Sequence, residues 1–176
     1  MAKDSFNVSR FKNQVKDFLR PNTYIVKVQP PVRGADAREL SLRTSTINLP
    51  GISFAEIDTY KIYGSGLQIS VPYISTIQEI SCTHTIDKDG VILQTYYDWL
   101  NNIVDIKNDN KYSAYYYKDY VVPMTIEVYN VNGDLAKTYS LRNAYPKSFD
   151  PISLSWGASE LVELNVTYQF ETFEIN

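Results

Sequence analysis

Cys82 and His84 are the residues of this sequence whose types and spacing come closest to a catalytic pair. They stand two positions apart in a segment that predicts a strand, so both side chains lie on the same face. A thiol beside an imidazole can act as nucleophile and base, and the two can also share a metal ion. The 176 residues contain one cysteine and one histidine, and no third residue that would orient the pair is identifiable. We therefore interpret Cys82 as a small hydrophobic strand residue and His84 as a residue at a strand end.

Two further groups are weak candidates for chemistry. Gly64-Ser65-Gly66 is too short to cradle a phosphate and has no following helix whose dipole would assist, so it predicts a flexible tip. Glu163 and Glu171 lie on one predicted strand at a separation of roughly 26 Å, which is far more than a glycosidase pair tolerates. The sequence therefore predicts a protein that is not an enzyme, with no catalytic residues, no cofactor and no metal site.

A cluster of tyrosines is the third feature that could bind a partner. Tyrosines stack unpaired bases in single-strand binding proteins, but such sites also need a basic groove. Lys111 and Lys118 are the only cations of the segment, and the whole chain has a net charge of −3 and a pI near 5.2. Packing against another protein is the favoured interpretation of the cluster, which comprises Tyr112, Tyr115, Tyr116, Tyr117 and Tyr120.

The composition is that of one globular domain. Apolar residues make up 44% and charged residues 21% of the chain, near the averages of folded proteins, which excludes disorder of the whole chain. Apolar stretches such as 125–131 are far shorter than the roughly 18 residues of a membrane span, and no signal-peptide core follows Met1. We expect a single soluble, cytoplasmic domain over residues 1–176 without membrane insertion. The 15 tyrosines favour a β-rich interaction protein.

The chain begins with a predicted short helix and a strand. Apolar residues recur at helical spacing before Pro21, which ends the helix because its ring cannot continue the preceding turn. Alternation then predicts a strand over 24–28 that stops at Pro30-Pro31. The apolar stripe of the helix consists of Val8, Phe11, Val15, Phe18 and Leu19.

The middle of the chain predicts extended structure. A segment over 39–49 is closed by Pro50-Gly51, a turn signal in which glycine supplies a positive φ. Residues 52–70 lack a stable period and are typical of a long excursion or hairpin, a kind of segment that is usually functional. A further strand is predicted over 77–85.

The second half predicts one main helix and three strands. The helix is capped by Asp87, and Asn132-Gly133 predicts a type I′ turn between strands at 125–131 and 135–141. Residues 162–170 alternate cleanly between apolar and polar side chains. The predicted fold is mainly β, an antiparallel barrel or sandwich with one main α-helix and a short N-terminal helix. The apolar face of the main helix consists of Ile92, Tyr96, Trp99, Leu100 and Ile103.

An ordered set of segments gives the chain a family resemblance. Arg20-Pro-Asn-Thr-Tyr-Ile-Val follows the predicted N-terminal helix, a strand ends in Leu49-Pro50-Gly51, and the main helix contains Tyr97-Asp98-Trp99. Asn143-Ala-Tyr-Pro146, Ile152-Ser-Leu-Ser-Trp156 and a long strand ending in Tyr168-Gln-Phe follow in order. This set resembles the tail tube proteins of contractile-tailed bacteriophages, which are related in fold to the tube protein of type VI secretion.

The resemblance implies a structural subunit of the virion tail, assembled in the host cytoplasm. Six β-barrel subunits flanked by a helix would form a ring whose strands join around a lumen, and stacked rings would form the tube. The implied partners are copies of the chain itself, the tail sheath protein, the baseplate hub and the tape-measure protein, with transient passage of DNA. A closed ring agrees with the predicted β fold, because neighbouring subunits would pair the strand edges that a single subunit exposes. A ring of six such subunits would carry a charge of about −18, which suits a wall along which DNA slides.

Other functions stay open at this point. A baseplate component that initiates the tube would bind the hub without polymerising alone, although 176 residues leave little room for the added domain that such initiators often carry. A type VI or pyocin-like secretion tube subunit would form similar rings. A nucleic-acid-binding module would retain oligonucleotides in a salt-sensitive manner.

Two sets of residues are predicted to act in assembly and passage. For ring stacking we expect the tip of the 52–70 excursion and the apolar stripe of the N-terminal helix. For the lumen we expect the polar face of the last strand, although the same face would also suit outer solvent or the sheath. The stacking set is Tyr60, Lys61, Ile62, Tyr63, Gly64, Ser65, Gly66, Val8, Phe11, Val15 and Phe18, and the lumen set is Glu127, Glu163, Asn165, Thr167, Gln169 and Glu171.

Overall fold

The computed structural model describes residues 19, 22–59, 69–105, 114–157 and 161–176. No helix in these ranges combines the length and apolarity that crossing a membrane requires. The strands are β1 (Tyr24–Val28), β2 (Thr44–Ile47), β3 (Ile52–Thr59), β4 (Ile69–Ile77), β5 (Ile80–Thr85), β6 (Val122–Tyr129), β7 (Leu135–Phe149), β8 (Glu163–Gln169) and β9 (Thr172–Ile175). The helices are α1 (Ala37–Leu42), α2 (Val91–Asn101) and α3 (Tyr117–Tyr120).

The strands form one large antiparallel sheet and one separate hairpin. The large sheet has seven strands, in the order β1-β6-β7-β8-β5-β2 with β9 beside β7. Strand β7 is long enough to pair with three neighbours: β6 along its first part, β9 at residues 139–142 and β8 at its end. Strands β3 and β4 pair only with each other among the described residues.

The large sheet curves strongly without closing. Tyr24 on β1 donates a hydrogen bond of 2.6 Å from its hydroxyl to the carbonyl oxygen of Ser45 on β2, although these strands are the opposite ends of the sheet order. No backbone ladder joins β1 to β2 in the described part of the chain. The prediction of a mainly β, antiparallel protein is confirmed, and the predicted barrel form stays a prediction.

The core lies on the concave side of this sheet, under α2. The alternation predicted for the last strand is confirmed, since Leu164, Val166 and Tyr168 of β8 are fully buried. Helix α2 has its predicted apolar face in part, since Leu100 is only partly buried and Ile103 lies beyond the end of the helix at Asn101. It buries Ile92, Tyr96 and Trp99, and its N-terminus is held by Asp87, whose carboxylate accepts from the backbone N–H groups of residues 91 and 92 at 3.2 and 3.3 Å.

The extended segment predicted over 39–49 is wrong in its first part. Helix α1 occupies Ala37–Leu42, and only Thr44–Ile47 forms a strand. Asp36 starts the helix by accepting a 2.9 Å hydrogen bond from the backbone N–H of Arg38, and Leu40 is buried in the core. The Asp36 cap and the burial of Leu40 therefore stabilise a helix where the sequence predicts extended structure.

The predicted hairpin between β6 and β7 is present, but its turn is not type I′. Gly133 has a φ of 85°, whereas Asn132 does not adopt the positive φ that a type I′ turn needs at both central positions. Five residues, 130–134, join the two strands, and the backbone N–H of Asn130 donates to the carbonyl of Asp134 at 2.9 Å. The side-chain oxygen of Asn130 accepts from the backbone N–H groups of Asn132 and Asp134 at 2.9 and 3.0 Å, so this asparagine closes a longer loop with Gly133 in the left-handed position.

Candidate assembly surfaces

Cys82 and His84 face the core together, as their spacing predicts. Both side chains are buried, and burial raises the pKa of the Cys82 thiol to about 12, so the thiol stays protonated at neutral pH and does not act as a nucleophile. The interpretation of Cys82 as a core residue is confirmed. No group of three or more potential metal ligands occurs among the described residues.

His84 belongs to a directional chain of buried hydrogen bonds. Thr44 donates its only hydroxyl proton to the carbonyl of Leu40 at 2.9 Å, so its oxygen must accept from Nδ1–H of His84 at 3.3 Å. Nε2 of His84 then accepts from the Tyr96 hydroxyl at 2.6 Å, and the Tyr96 oxygen accepts from the Tyr168 hydroxyl at 2.6 Å. The chain joins β2, β5, α2 and β8 and fixes His84 as the neutral Nδ1–H tautomer.

Aromatic rings extend this chain into a rigid core. Tyr96 and Trp99 stack with ring centres 6.3 Å apart, and Tyr168 meets Trp99 edge-on at 6.1 Å. The indole N–H of Trp99 donates to the carbonyl of Tyr120 at 2.8 Å. Helix α2 is therefore locked to β8 and to the segment that precedes β6.

The β3–β4 hairpin presents an exposed apolar face. The register places Ile52 opposite Ile77 and Phe54 opposite Ser75 on one face of the hairpin. A β-bulge between Ala55 and Glu56 shifts the register, so Val71 lies on the other face together with Ile74. Phe54 is 62% exposed and Ile52 is exposed beside it, while Val71 and Ile74 are exposed on the other face. The hairpin predicted for the 52–70 excursion is therefore present in its described strands. The predicted stacking residues at its tip, 60–66, and the N-terminal stripe Val8, Phe11, Val15 and Phe18 lie outside the described residues.

The tyrosine cluster is divided between the surface and a packed triad. Tyr115, Tyr116 and Tyr117 are exposed, Tyr116 to 78%. The rings of Tyr117, Tyr120 and Tyr145 meet edge to face with centres 5.5 to 6.3 Å apart. Tyr112 lies outside the described residues, and binding of a protein partner by this cluster stays a prediction.

The predicted lumen residues of β8 lie on the face of the sheet opposite the core. Glu163, Asn165, Thr167 and Gln169 alternate with the buried residues, and Asn165 accepts from Ser81 at 3.0 Å and donates to Asp150 at 2.7 Å. Which side of an assembled ring this face occupies stays a prediction.

The predicted acidic character of that face is partly offset by cations. The Lys27 ammonium lies 2.5 Å from Oε1 of Glu127, and the Tyr129 hydroxyl donates to Oε2 at 2.7 Å. These two hydrogen bonds lower the pKa of the Glu127 carboxyl. Arg142 pairs with Glu174, and Asn143 donates to Glu171. Glu163 is exposed and has no such cationic partner among the described residues.

Solved structures of other proteins share this fold. A solved chain from the sheath–tube complex of the extracellular contractile injection system PVC aligns with a TM-score of 0.64 at 18% identity, covering 98% of this chain and 99% of its own. A chain of the PVC sheath/tube terminator aligns at 0.66 with 19% identity, covering 92% and 99%. A chain of the tube-terminating cap of the anti-feeding prophage aligns at 0.65 with 16% identity, covering 100% and 99%.

Similarity at these identities establishes the fold, and the sequence itself establishes the family. No curated protein sequence gives a significant match. A family profile described as phage tail tube protein matches residues 19–176, which is nearly the whole chain and includes every segment on which the resemblance rests. This protein is a member of the phage tail tube protein family.

Proposed function

We propose that this protein is the repeating subunit of the tube of a contractile tail or injection particle, and that it forms hexameric rings that stack around a lumen. The observation that carries the proposal is the full-length match in fold to a chain of a sheath–tube complex, combined with family membership. The protein would act structurally, with the sheath around it and the baseplate and terminator at its ends.

Unpaired sheet edges support ring formation. Within the described ranges, strands β1 and β2 each have one neighbour in the sheet, so one side of each could offer backbone N–H and C=O groups to another chain. The Tyr24 hydroxyl holds the two edges close together without a ladder. Pairing of such edges between neighbouring subunits would build a continuous sheet around the ring.

The β3–β4 hairpin is the proposed contact between rings, and Phe54→Asp tests it. A charge in the centre of the exposed apolar face would be desolvated on stacking, so we expect soluble rings or monomers without tubes in negative-stain micrographs. Ser53→Asp is the matched control, because the adjacent residue lies on the opposite face of the same strand. Tubes of normal length from Phe54→Asp, or loss of tubes from both variants alike, would contradict a stacking role for this face.

A secretion or injection tube that does not conduct DNA is the second candidate function. It is favoured because two of the structures aligned above belong to an extracellular contractile injection system. The two candidates therefore differ in what passes through the lumen. Charge changes on the polar face of β8 can distinguish them.

Reversing two charges on that face tests whether it lines a DNA conduit. In tails built from Glu163→Lys/Glu171→Lys subunits we expect normal tubes but slowed DNA ejection, because phosphates would pair with the new ammonium groups. The defect should be relieved at 1 M salt, where the screening length is roughly 3 Å. Asp89→Lys, an exposed reversal in the turn before α2, serves as the control. Normal ejection at low salt from tubes that contain the double variant would rule out a lumen position.

A further inference from the structure

The two edge strands of the large sheet differ in how their backbone is covered. On β1, the carbonyl of Thr23 accepts from the backbone N–H of Tyr129 at 2.9 Å, which fixes the alternation of the ladder with β6. The peptide groups of the alternate residues Tyr24, Val26 and Val28 therefore point away from β6. Among the described residues no strand lies on that side, so β1 presents a regular edge.

The edge of β2 is irregular, and one of its carbonyls is already occupied. The pairing of β2 with β5 shifts between Thr44 and Thr46, so Ser45 is an extra residue opposite β5, as in a β-bulge. The carbonyl of Ser45 accepts from the Tyr24 hydroxyl at 2.6 Å, and its side chain donates to the carbonyl of Thr83 at 3.2 Å. Bulges and covered backbone groups are features with which proteins prevent another strand from adding to a sheet edge.

Side chains cover the seam between the two edges. Tyr24 on β1 and Ile47 on β2 are half-buried, and both pack against the core. A strand that pairs with β2 would lie about 4.8 Å from it, which is the space through which the Tyr24 hydroxyl reaches Ser45. Pairing of a new strand along β2 is therefore incompatible with the hydrogen bond between Tyr24 and Ser45.

We propose that the β2 edge is the docking site for the β1 edge of a second copy, and that the hydrogen bond between Tyr24 and Ser45 keeps this site closed in the dispersed subunit. The proposal rests on the proposed function, because the second copy is the next subunit of a ring. Pairing of β1 with β2 joins two different surfaces, which can close into a ring, whereas pairing of β1 with β1 would stop at a dimer. The closed contact protects the dispersed subunit from uncontrolled association.

Hydrogen exchange followed by mass spectrometry tests the docking site. In assembled tubes the amides of 24–28 and of 44–47 should exchange about tenfold more slowly than in the dispersed subunit, because each edge gains backbone hydrogen bonds. Residues 122–129 of β6 already have a strand on each side, so they serve as the control and should change little. Protection of one edge without the other would overturn the pairing of β1 with β2.

Tyr24→Phe tests the closed contact, because it keeps the ring and removes only the hydroxyl. We expect this variant to form rings and tubes at about one fifth of the protein concentration that the wild type needs, since assembly no longer breaks one hydrogen bond. The dispersed variant should also melt roughly 2–4 °C lower, because it lacks the same hydrogen bond. Sedimentation of a dilution series and thermal unfolding measure the two changes, which have opposite effects on assembly and on stability.

Tyr129→Phe is the matched control for Tyr24→Phe. It also removes one tyrosine hydroxyl, which donates to Glu127 at 2.7 Å within β6, away from the open edges, so its assembly concentration should equal that of the wild type. Assembly of Tyr24→Phe only at the wild-type concentration or above it would overturn the proposal. If neither the wild type nor Tyr24→Phe forms rings, the proposed function itself fails, so the two failures are distinguishable.

Discussion

Tyr96→Phe should cost roughly 2–6 kcal/mol of unfolding free energy, although it removes a single oxygen atom. The Tyr96 hydroxyl donates to Nε2 of His84 and accepts from the hydroxyl of Tyr168, and all three side chains are buried. The substitution leaves one buried acceptor and one buried donor without partners, each at about 1–3 kcal/mol. Urea unfolding of the dispersed subunit measures the loss.

Tyr168→Phe is the matched control for this prediction. It removes the hydroxyl at the end of the chain of hydrogen bonds, so Tyr96 keeps its acceptor in His84 and no group is left without a partner. We expect a loss of only about 1 kcal/mol. Equal losses from Tyr96→Phe and Tyr168→Phe would mean that the hydrogen bonds do not run in the assigned direction.

The elements that a local pattern determines were predictable from the sequence. Strand β8 has an unbroken alternation because one face meets the core and the other does not. Helix α2 was predictable for the same reason, since its apolar face has a period of 3.6 and Asp87 stands where its first N–H groups need an acceptor. In both cases the sequence signal and the tertiary burial agree.

The misplaced elements are those in which a tertiary contact outweighs the local pattern. Helix α1 has six residues, too few for a periodicity to be recognised, and it depends on burial of Leu40 and on the Asp36 cap. Strand β9 was not predicted because it has only four residues and is defined by its pairing with β7. Its separation from β8 coincides with Asn143, which adopts a φ of 53° in the facing strand.

The candidate surfaces were predictable to different degrees. Residues 52–70 were predictable as a candidate surface. A long segment without the alternation of a core strand is not stabilised by burial in its own domain, and such segments are usually functional. The apolar groove between α2 and the end of β7 could not be predicted, because these elements are far apart in the chain and only the fold brings Leu93 and Phe149 together. The exposed Trp156 was visible only as part of a family pattern, since sequence alone does not tell an exposed tryptophan from a buried one.

The dispersed subunit should lose about 3 kcal/mol of stability between pH 6.5 and pH 4. Burial lowers the pKa of His84 from its usual 6.5 to about 4, against a smaller opposing effect of the Leu40 carbonyl. In this window the unfolded chain binds a proton that the folded chain excludes, so unfolding is favoured as the pH falls, and the loss levels off below pH 4. A difference of one pKa unit corresponds to about 1.36 kcal/mol. Urea unfolding at a series of pH values measures the slope.

His84→Gln separates this effect from the titration of carboxylates. The variant lacks a titrating group at position 84, so it should be less stable than the wild type at pH 7 but should show a nearly flat stability between pH 6.5 and pH 5. Paired carboxyls such as that of Glu127, whose pKa is lowered by Lys27 and Tyr129, lose their stabilising charge only at lower pH. Burial of the charged imidazolium is the main reason for the steep wild-type slope. In addition, a proton on Nε2 turns it into a donor facing the Tyr96 hydroxyl, which reverses the chain and leaves the Tyr168 O–H without an acceptor. If His84→Gln retains the wild-type slope above pH 5, the acid sensitivity of this fold does not originate at His84.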